Sequence, residues 1–264
     1  MKNLKILALG DVVGTQALDL VISQMSEMRR EIQADLIIVN GENANGIHGI
    51  TPQQAEALWS AGADVITGGN HTFYPRGIAQ ALDDRKYLLR PANFPTNAPG
   101  KGDTIIDLGF CSVLVMNLIG RVGMDNYDSP FEAAEKILRQ NEGKYDIAVC
   151  DFHAEATSEK AALARCFDGR IHALFGTHTH VQTNDARILE GGTGFITDIG
   201  MCGPENSILG VKSELVINKF KTMLPTRFEV AEGPISINGA VFEVNLDKNH
   251  CQKVFKYVKN KISS

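Results

Sequence analysis

Eight side chains able to hold a metal ion stand directly after short apolar runs: Asp11, Glu42 with Asn43, Asn70 with His71, His153, and His178 with His180. Each run reads as a strand, so five strand ends carry carboxylate, amide or imidazole groups. One or two such ends have an ordinary explanation, since Asn-Gly and Glu-Asn are turn residues and an Asp after a strand often caps the next helix. Five are hard to explain that way, because caps do not call for histidine. Imidazole nitrogen mixed with carboxylate and amide oxygen suits a borderline first-row ion such as Mn, Fe, Co or Zn better than Ca or Mg alone. The cysteines are unpaired in sequence, which points away from a structural zinc knot.

Eight ligands are too many for one tetrahedral ion. They suffice for two ions held about 3.5–4 Å apart by a shared carboxylate, an arrangement that serves in-line displacement at phosphorus. Glu42 is the best bridging candidate, because a carboxylate offers two oxygens and its amide neighbours bridge poorly. His178 and His180 are two apart: on an extended chain they would share a side, and in a turn they would diverge to reach neighbouring ions. Of the other histidines, His48 sits in a small-residue loop where it is either exposed or in reach of a substrate. His172 reads as packed inside a strand, and His250 as solvent-exposed.

The elements that must position these groups follow from periodicity. Leu4–Leu9 is a strand ending at Gly10-Asp11, and Leu18, Val21, Ile22, Met25 and Met28 have helical spacing. Leu36-Ile37-Ile38-Val39 reads as a buried parallel strand running into Asn40-Gly41-Glu42-Asn43. Thr51 and Pro52 open a helix that stops near Gly62, and the strand Ala63–Thr67 leads to Gly68-Gly69-Asn70-His71. A helix over 75–84 and the prolines of Arg90–Pro95 precede a hairpin or strand pair, Thr104–Leu108 and Cys111–Asn117. A helix over Pro130–Gln140 leads to the strand Asp146–Cys150, whose end carries Asp151-Phe152-His153. Thr157-Ser158-Glu159-Lys160 has N-cap character before another helix, and the strand Ile171–Phe175 delivers Gly176-Thr177-His178-Thr179-His180. Beyond lie a strand Thr193–Thr197, a glycine-rich loop 198–210, a helix over 211–222, two strand-like runs at Arg227–Ala231 and Ala240–Leu246, and a polar C-terminal end. In an open α/β sheet ligands bind outside the carboxyl ends of the strands, and all eight residues fall on that rim. With no repeat or linker in view, residues 1–264 are expected to form one domain.

Composition narrows the partners. The net charge is −5, and no run of Lys or Arg could track a phosphate backbone, so non-specific nucleic-acid binding is not expected. Five scattered cysteines without a Cys-x-x-Cys suggest neither a disulfide framework nor a thiolate metal site, and fit a reducing cytoplasm. The first apolar run is too short and too charged at its edges for a signal peptide, and none approaches the roughly 20 residues of a membrane span. Homo-oligomer formation stays open.

Taken together, Gly10-Asp11, Gly41-Glu42-Asn43, Gly69-Asn70-His71, His153 and Gly176-Thr177-His178-Thr179-His180 resemble the ordered blocks of the calcineurin-like metallophosphoesterase superfamily. Gly10–Gly14, Arg90–Pro95, Asp151–Lys160 and Thr177–Thr183 further resemble the bacterial YmdB-type phosphodiesterases, with the likeness running from the first strand to about Gly233. Each block is weak alone, and their joint order is specific. The resemblance implies an αββα sandwich of two mixed sheets flanked by helices. It also implies two first-row ions, iron first, with Mn, Zn or Co as alternatives. The superfamily usually has a histidine where this chain has Val13, and Asn43 is the implied substitute. Site one is then Asp11, Glu42, Asn43 and His180, and site two is Glu42, Asn70, His153 and His178. His71 matches the superfamily's general acid. The implied substrate is a small phosphodiester, a 2′,3′- or 3′,5′-cyclic nucleotide.

Two other readings compete. A mononuclear hydrolase acting on an amide or amidine would leave Asn43 or Asp11 idle, and a regulatory nucleotide-binding protein would keep the site chiefly to bind. Arg90, Asn93, Lys101 and Arg121 are as readily loop-packing or surface residues as phosphate or base contacts.

Overall fold

In the computed structural model, which describes residues 2–260, the apolar runs become strands and the helical-period runs become their covers. In chain order, the first half comprises β1 (Asn3–Leu9), β2 (Asp11–Val12), α1 (Thr15–Ile32), β3 (Leu36–Asn40), α2 (Pro52–Ala61), β4 (Val65–Thr67) and α3 (Ile78–Asp84). The hairpin β5 (Asp103–Asp107) and β6 (Ser112–Ile119) follows, then α4 (Pro130–Gln140), β7 (Ile147–His153), α5 (Thr157–Cys166) and β8 (Ala173–Thr177). The chain continues through β9 (Arg187–Ile188), β10 (Gly194–Ile196), β11 (Met201–Pro204), α6 (Ser213–Thr222), β12 (Ile235–Asn245) and β13 (His250–Asn260).

Among the described residues the strands form two mixed sheets. The first has the order β2-β11-β12-β1-β3-β4 with β13 added on β12, and the second has the order β5-β6-β7-β8-β10-β9. In the first, β1, β3 and β4 are parallel and β12 runs against β1. In the second, β6, β7, β8 and β10 are parallel. Side chains alternate across each strand. Leu4, Ile6, Ala8 and Ile38 therefore point inward to meet Val113, Val115, Val149 and Phe175 of the second sheet. Leu7, Leu9, Ile37 and Val39 point outward beneath α1, α2 and α3. Leu114, Met116, Cys150 and Phe152 do the same beneath α4 and α5. Burial on both faces explains the unbroken apolar runs, and the layering is the expected αββα sandwich.

Local differences have physical reasons. Thr51 caps α2 as expected, with a reciprocal bond to Gln54. The α5 cap is Ala156 and makes no side-chain bond. Glu159 instead accepts the backbone N–H groups of Arg121 and Val122. The helix expected over 75–84 begins only at Ile78, because Gly77 holds φ 78°, outside the helical range. Arg227–Ala231 is not a strand: Val230 makes one bridge to Val211. The glycine-rich loop contains β11, whose partner β2 is far away in sequence. The polar end is the strand β13, paired along β12, with only Cys251 and Tyr257 buried. An edge strand with lysines outward carries little apolar signal. No helix among the described residues is long and apolar enough to cross a membrane.

Candidate metal centre

The eight residues converge where the carboxyl ends of β1, β3 and β4 meet those of β7 and β8 across the sandwich. Asp11 starts β2, which is drawn against β11, and Gly10 is needed because a Cβ there would strike the Gly200 carbonyl. Asp11 is therefore no helix cap. It is fully buried, and its Oδ2 accepts the His178 N–H at 3.1 Å. Glu42 is equally buried, and its Oε1 accepts the His71 N–H at 2.5 Å. The second oxygen of each, Asp11 Oδ1 and Glu42 Oε2, has no hydrogen-bond partner. An unsatisfied buried acceptor costs about 1–3 kcal/mol, more when charged. Burial raises the Asp11 carboxyl and raises that of Glu42 well above its ordinary range.

Around these oxygens the nitrogen and amide donors fall into two groups. His153 Nε2 lies 3.1 Å from Asn70 Oδ1, 3.1 Å from His178 Nδ1 and 3.8 Å from Glu42 Oε1. His180 Nε2 lies 3.1 Å from the Asn43 amide and 3.9 Å from Asp11 Oδ1. Ligands held about 2.1 Å from one ion sit roughly 3–3.5 Å from one another, so these spacings suit cation sites. Burial lowers His178 and lowers His153 far below the usual imidazole range, which keeps both neutral, the form that binds metal. The backbones of His178 and His180 have φ 98° and φ 65°, so the pair lies in a turn and diverges.

Two features temper the fit. Among the described residues no three His, Cys, Asp or Glu side chains close around a single point, and two of the donors here are amides. The Asn43 amide presents Nδ2 to His180 and Oδ1 to His71 Nδ1 at 3.0 Å. A half-turn in its own plane would give the oxygen to the His180 side and the NH₂ to His71. With that turn, the orphan oxygens and neutral imidazoles present a donor set that fits cation binding.

His71 stands at the wall of a cavity of about 400 Å³ together with Asn43, Asn70, His153, His178 and His180. Burial and the neighbouring histidines push it down to about 4, so the ring is neutral at pH 7. His48 lines the same cavity, stacked on Tyr74 at 4.9 Å and edge-on to His71 at 4.6 Å. Val13 lines it as well and pairs with Asn43 through a backbone bridge. His172 is packed as expected, its Nδ1 accepting the Ala148 N–H, and His250 is exposed. Arg90 donates to the carbonyls of Pro91, Ala92, Ala98 and Pro99, and Asn93 binds the backbone of Ile119 and Asp128. Both are loop braces, and neither Lys101 nor Arg121 lines the cavity.

Sequence reasoning passed over the groups beneath the site. Asp151, fully buried, accepts hydrogen bonds from Asn40, Thr67 and Thr177. Lys160 and Asp198, both buried, pair at 2.7 Å, and Asp198 also holds the Thr179 N–H and hydroxyl and the Gly200 N–H. That carboxylate pins the two-histidine turn. Glu155 faces His178 Nε2 at 3.2 Å. A signal was available for Asp151, two residues before His153 in a strand of otherwise apolar residues.

The chain is 42% identical over 257 residues to the Bacillus subtilis 2′,3′-cyclic-nucleotide 2′-phosphodiesterase, covering 97% of each. Among solved structures, a Thermus thermophilus protein superposes with TM-score 0.92 at 35% identity, covering 98% of this chain and 100% of that one. A Mycoplasma pneumoniae phosphatase superposes with TM-score 0.92 at 32% identity, covering 98% and 94%. The family model for YmdB-like proteins matches residues 7–257, a span that holds all eight convergent side chains and nearly both sheets, and the chain belongs to that family.

Proposed function

We propose that this protein is a dinuclear metal-dependent phosphodiesterase acting on cyclic nucleotides. The observation that carries the reading is the pair of orphaned buried carboxylate oxygens, Asp11 Oδ1 and Glu42 Oε2, in one cluster with neutral imidazoles. Leaving them uncompensated costs stability, and a bound cation removes that cost. Asp11, Asn43 and His180 would hold one ion, Asn70, His153 and His178 the other, with Glu42 shared. The shared donor set favours this over a mononuclear amide hydrolase. The name of the Bacillus subtilis relative supports a 2′,3′-cyclic nucleotide as substrate. Iron is the first choice of metal, with Mn, Zn or Co as alternatives.

Two such cations would polarise the phosphoryl group, lower the pKa of a water and spread the developing charge. The chain's own residues do the rest. Glu42, anchored by the His71 N–H, fixes the spacing of the two halves. His71 stands beside that carboxylate at 3.2 Å and would protonate or hydrogen-bond the leaving oxygen. An anionic substrate against the ring opposes the effect of burial and favours the imidazolium. The shared core between the two sheets supports a single domain.

The test joins elemental analysis to hydrolysis of 2′,3′-cyclic AMP and bis-p-nitrophenyl phosphate. Two ions per chain with metal-dependent turnover are expected, and Glu42→Ala should lose both ions together. One full equivalent retained by Glu42→Ala would refute bridging, and absent hydrolysis by the metal-loaded protein would refute the enzyme reading.

A further inference from the structure

Asp151 lies under the site, and its three donors come from three other strands. Asn40 ends β3 and Thr67 ends β4, both in the first sheet, whereas Thr177 ends β8, next to Asp151's own β7 in the second. The carboxylate thus clamps the two sheets where the site residues leave them.

The Thr177 hydroxyl has one proton to give and two lone pairs to receive. It lies 2.8 Å from Asp151 Oδ1, 3.3 Å from Asn40 Nδ2 and 2.9 Å from His153 Nδ1. Among the described residues Thr177 makes the one hydrogen bond to Asp151 Oδ1, since Asn40 and Thr67 both serve Oδ2. Above about pH 7, where Asp151 is ionised, giving that proton to the carboxylate makes a charge-assisted bond, roughly twice as strong as a neutral one. The hydroxyl oxygen must then accept from both remaining neighbours, so His153 Nδ1 has to carry a hydrogen.

We propose that Asp151, acting through the Thr177 hydroxyl, is a positioning residue that keeps the His153 proton on Nδ1 and leaves the Nε2 lone pair facing Asn70 and His178 before any cation arrives. The opposite tautomer would let Nε2 donate to Asn70 Oδ1, 3.1 Å away, but it turns the Thr177 proton to His153 and leaves Asp151 Oδ1 buried without a donor. The inference rests on the reading of His153 as a metal ligand. Such outer partners orient a ligand histidine, and losing one typically costs 10–100-fold in metal affinity.

The experiment uses metal-free full-length protein at about pH 8, where Asp151 is ionised, and its two-bond proton–nitrogen spectra, which report the nitrogen that carries each imidazole proton, together with Zn²⁺ affinity by chelator competition. Wild type should show His153 protonated on Nδ1. Thr177→Val should shift population to the other tautomer and weaken Zn²⁺ binding 10–100-fold, and Thr177→Ser should restore both. A wild-type His153 protonated on Nε2 overturns the proposal even if Thr177→Val does not fold. A folded Thr177→Val with unchanged tautomer and affinity overturns it too. Wild-type protein that takes up no Zn²⁺ overturns the ligand reading and this inference with it, whereas the other two results sink this inference alone.

Discussion

In the metal-free protein, the Asp151 carboxyl should contribute stability that is lost as pH rises from 4 to 8. Its carboxyl is pushed from the ordinary 3.8 up to about 7, chiefly by burial, against the pull of hydrogen bonds from Thr67, Asn40 and Thr177. A folded-state pKa above the unfolded value means that the folded chain holds the proton more tightly. The contribution is therefore complete below pH 3.8 and is lost as pH rises through about 7. A rise of roughly 3 units at 1.36 kcal/mol each gives at most about 4 kcal/mol. Asp11 and Glu42 are raised as well and act in the same direction. Burial lowers His71, His153, His172 and His178, which adds stability as pH rises, so the Asp151 share has to be read against a variant. Asp151→Asn removes one titrating group while keeping the side chain's size. Urea unfolding in the presence of a chelator, stepped in pH for both proteins, isolates the Asp151 share as the difference between the two curves. If the curves run parallel to within about 1 kcal/mol from pH 4 to 8, the carboxyl is not perturbed as its surroundings require.

Further outcomes follow from the same geometry. His71→Ala should retain its metal while turnover falls about 10²–10⁴-fold; equal loss of metal would make His71 a ligand instead. Lys160→Met leaves Asp198 buried without its cation and should cost about 3–5 kcal/mol in urea unfolding, with the Asp198 hydrogen bonds holding it toward the lower figure. A loss below about 1 kcal/mol would show that the pair does not brace the His178 turn. Gly69→Ala would put a Cβ into the His153 ring, and metal affinity should drop while the far-UV circular dichroism is unchanged; wild-type Zn²⁺ affinity in that variant would contradict the placement of His153.

The layered fold was legible because its parallel strands are buried on both faces, so Leu36–Val39 and Ile147–Cys150 read as unbroken apolar runs. β13 was not, since an edge strand with one solvated face shows little more than Cys251 and Tyr257. β11 was hidden for another reason: it exists through pairing with β2 and β12, which lie far from it in sequence. The polar strand ends were legible as site candidates because their residue types are costly to explain as caps.

The sequence by itself determined which residues could serve as ligands and that they would gather on one rim, because the period of a strand and the polarity change at its end are local properties. Only the tertiary structure decided which groups face one another. Asp11 and Glu42 acquire orphaned oxygens through burial from both sheets, and His178 and His180 diverge because their backbone turns to positive φ. Asp151, one acidic residue among many in the sequence, becomes a clamp because strands from both sheets bring Asn40, Thr67 and Thr177 to it. The hydrogen bonds to the Asp151 carboxylate span up to 111 residues and leave no mark in local sequence pattern, which is why this supporting group appears only when the chain is folded.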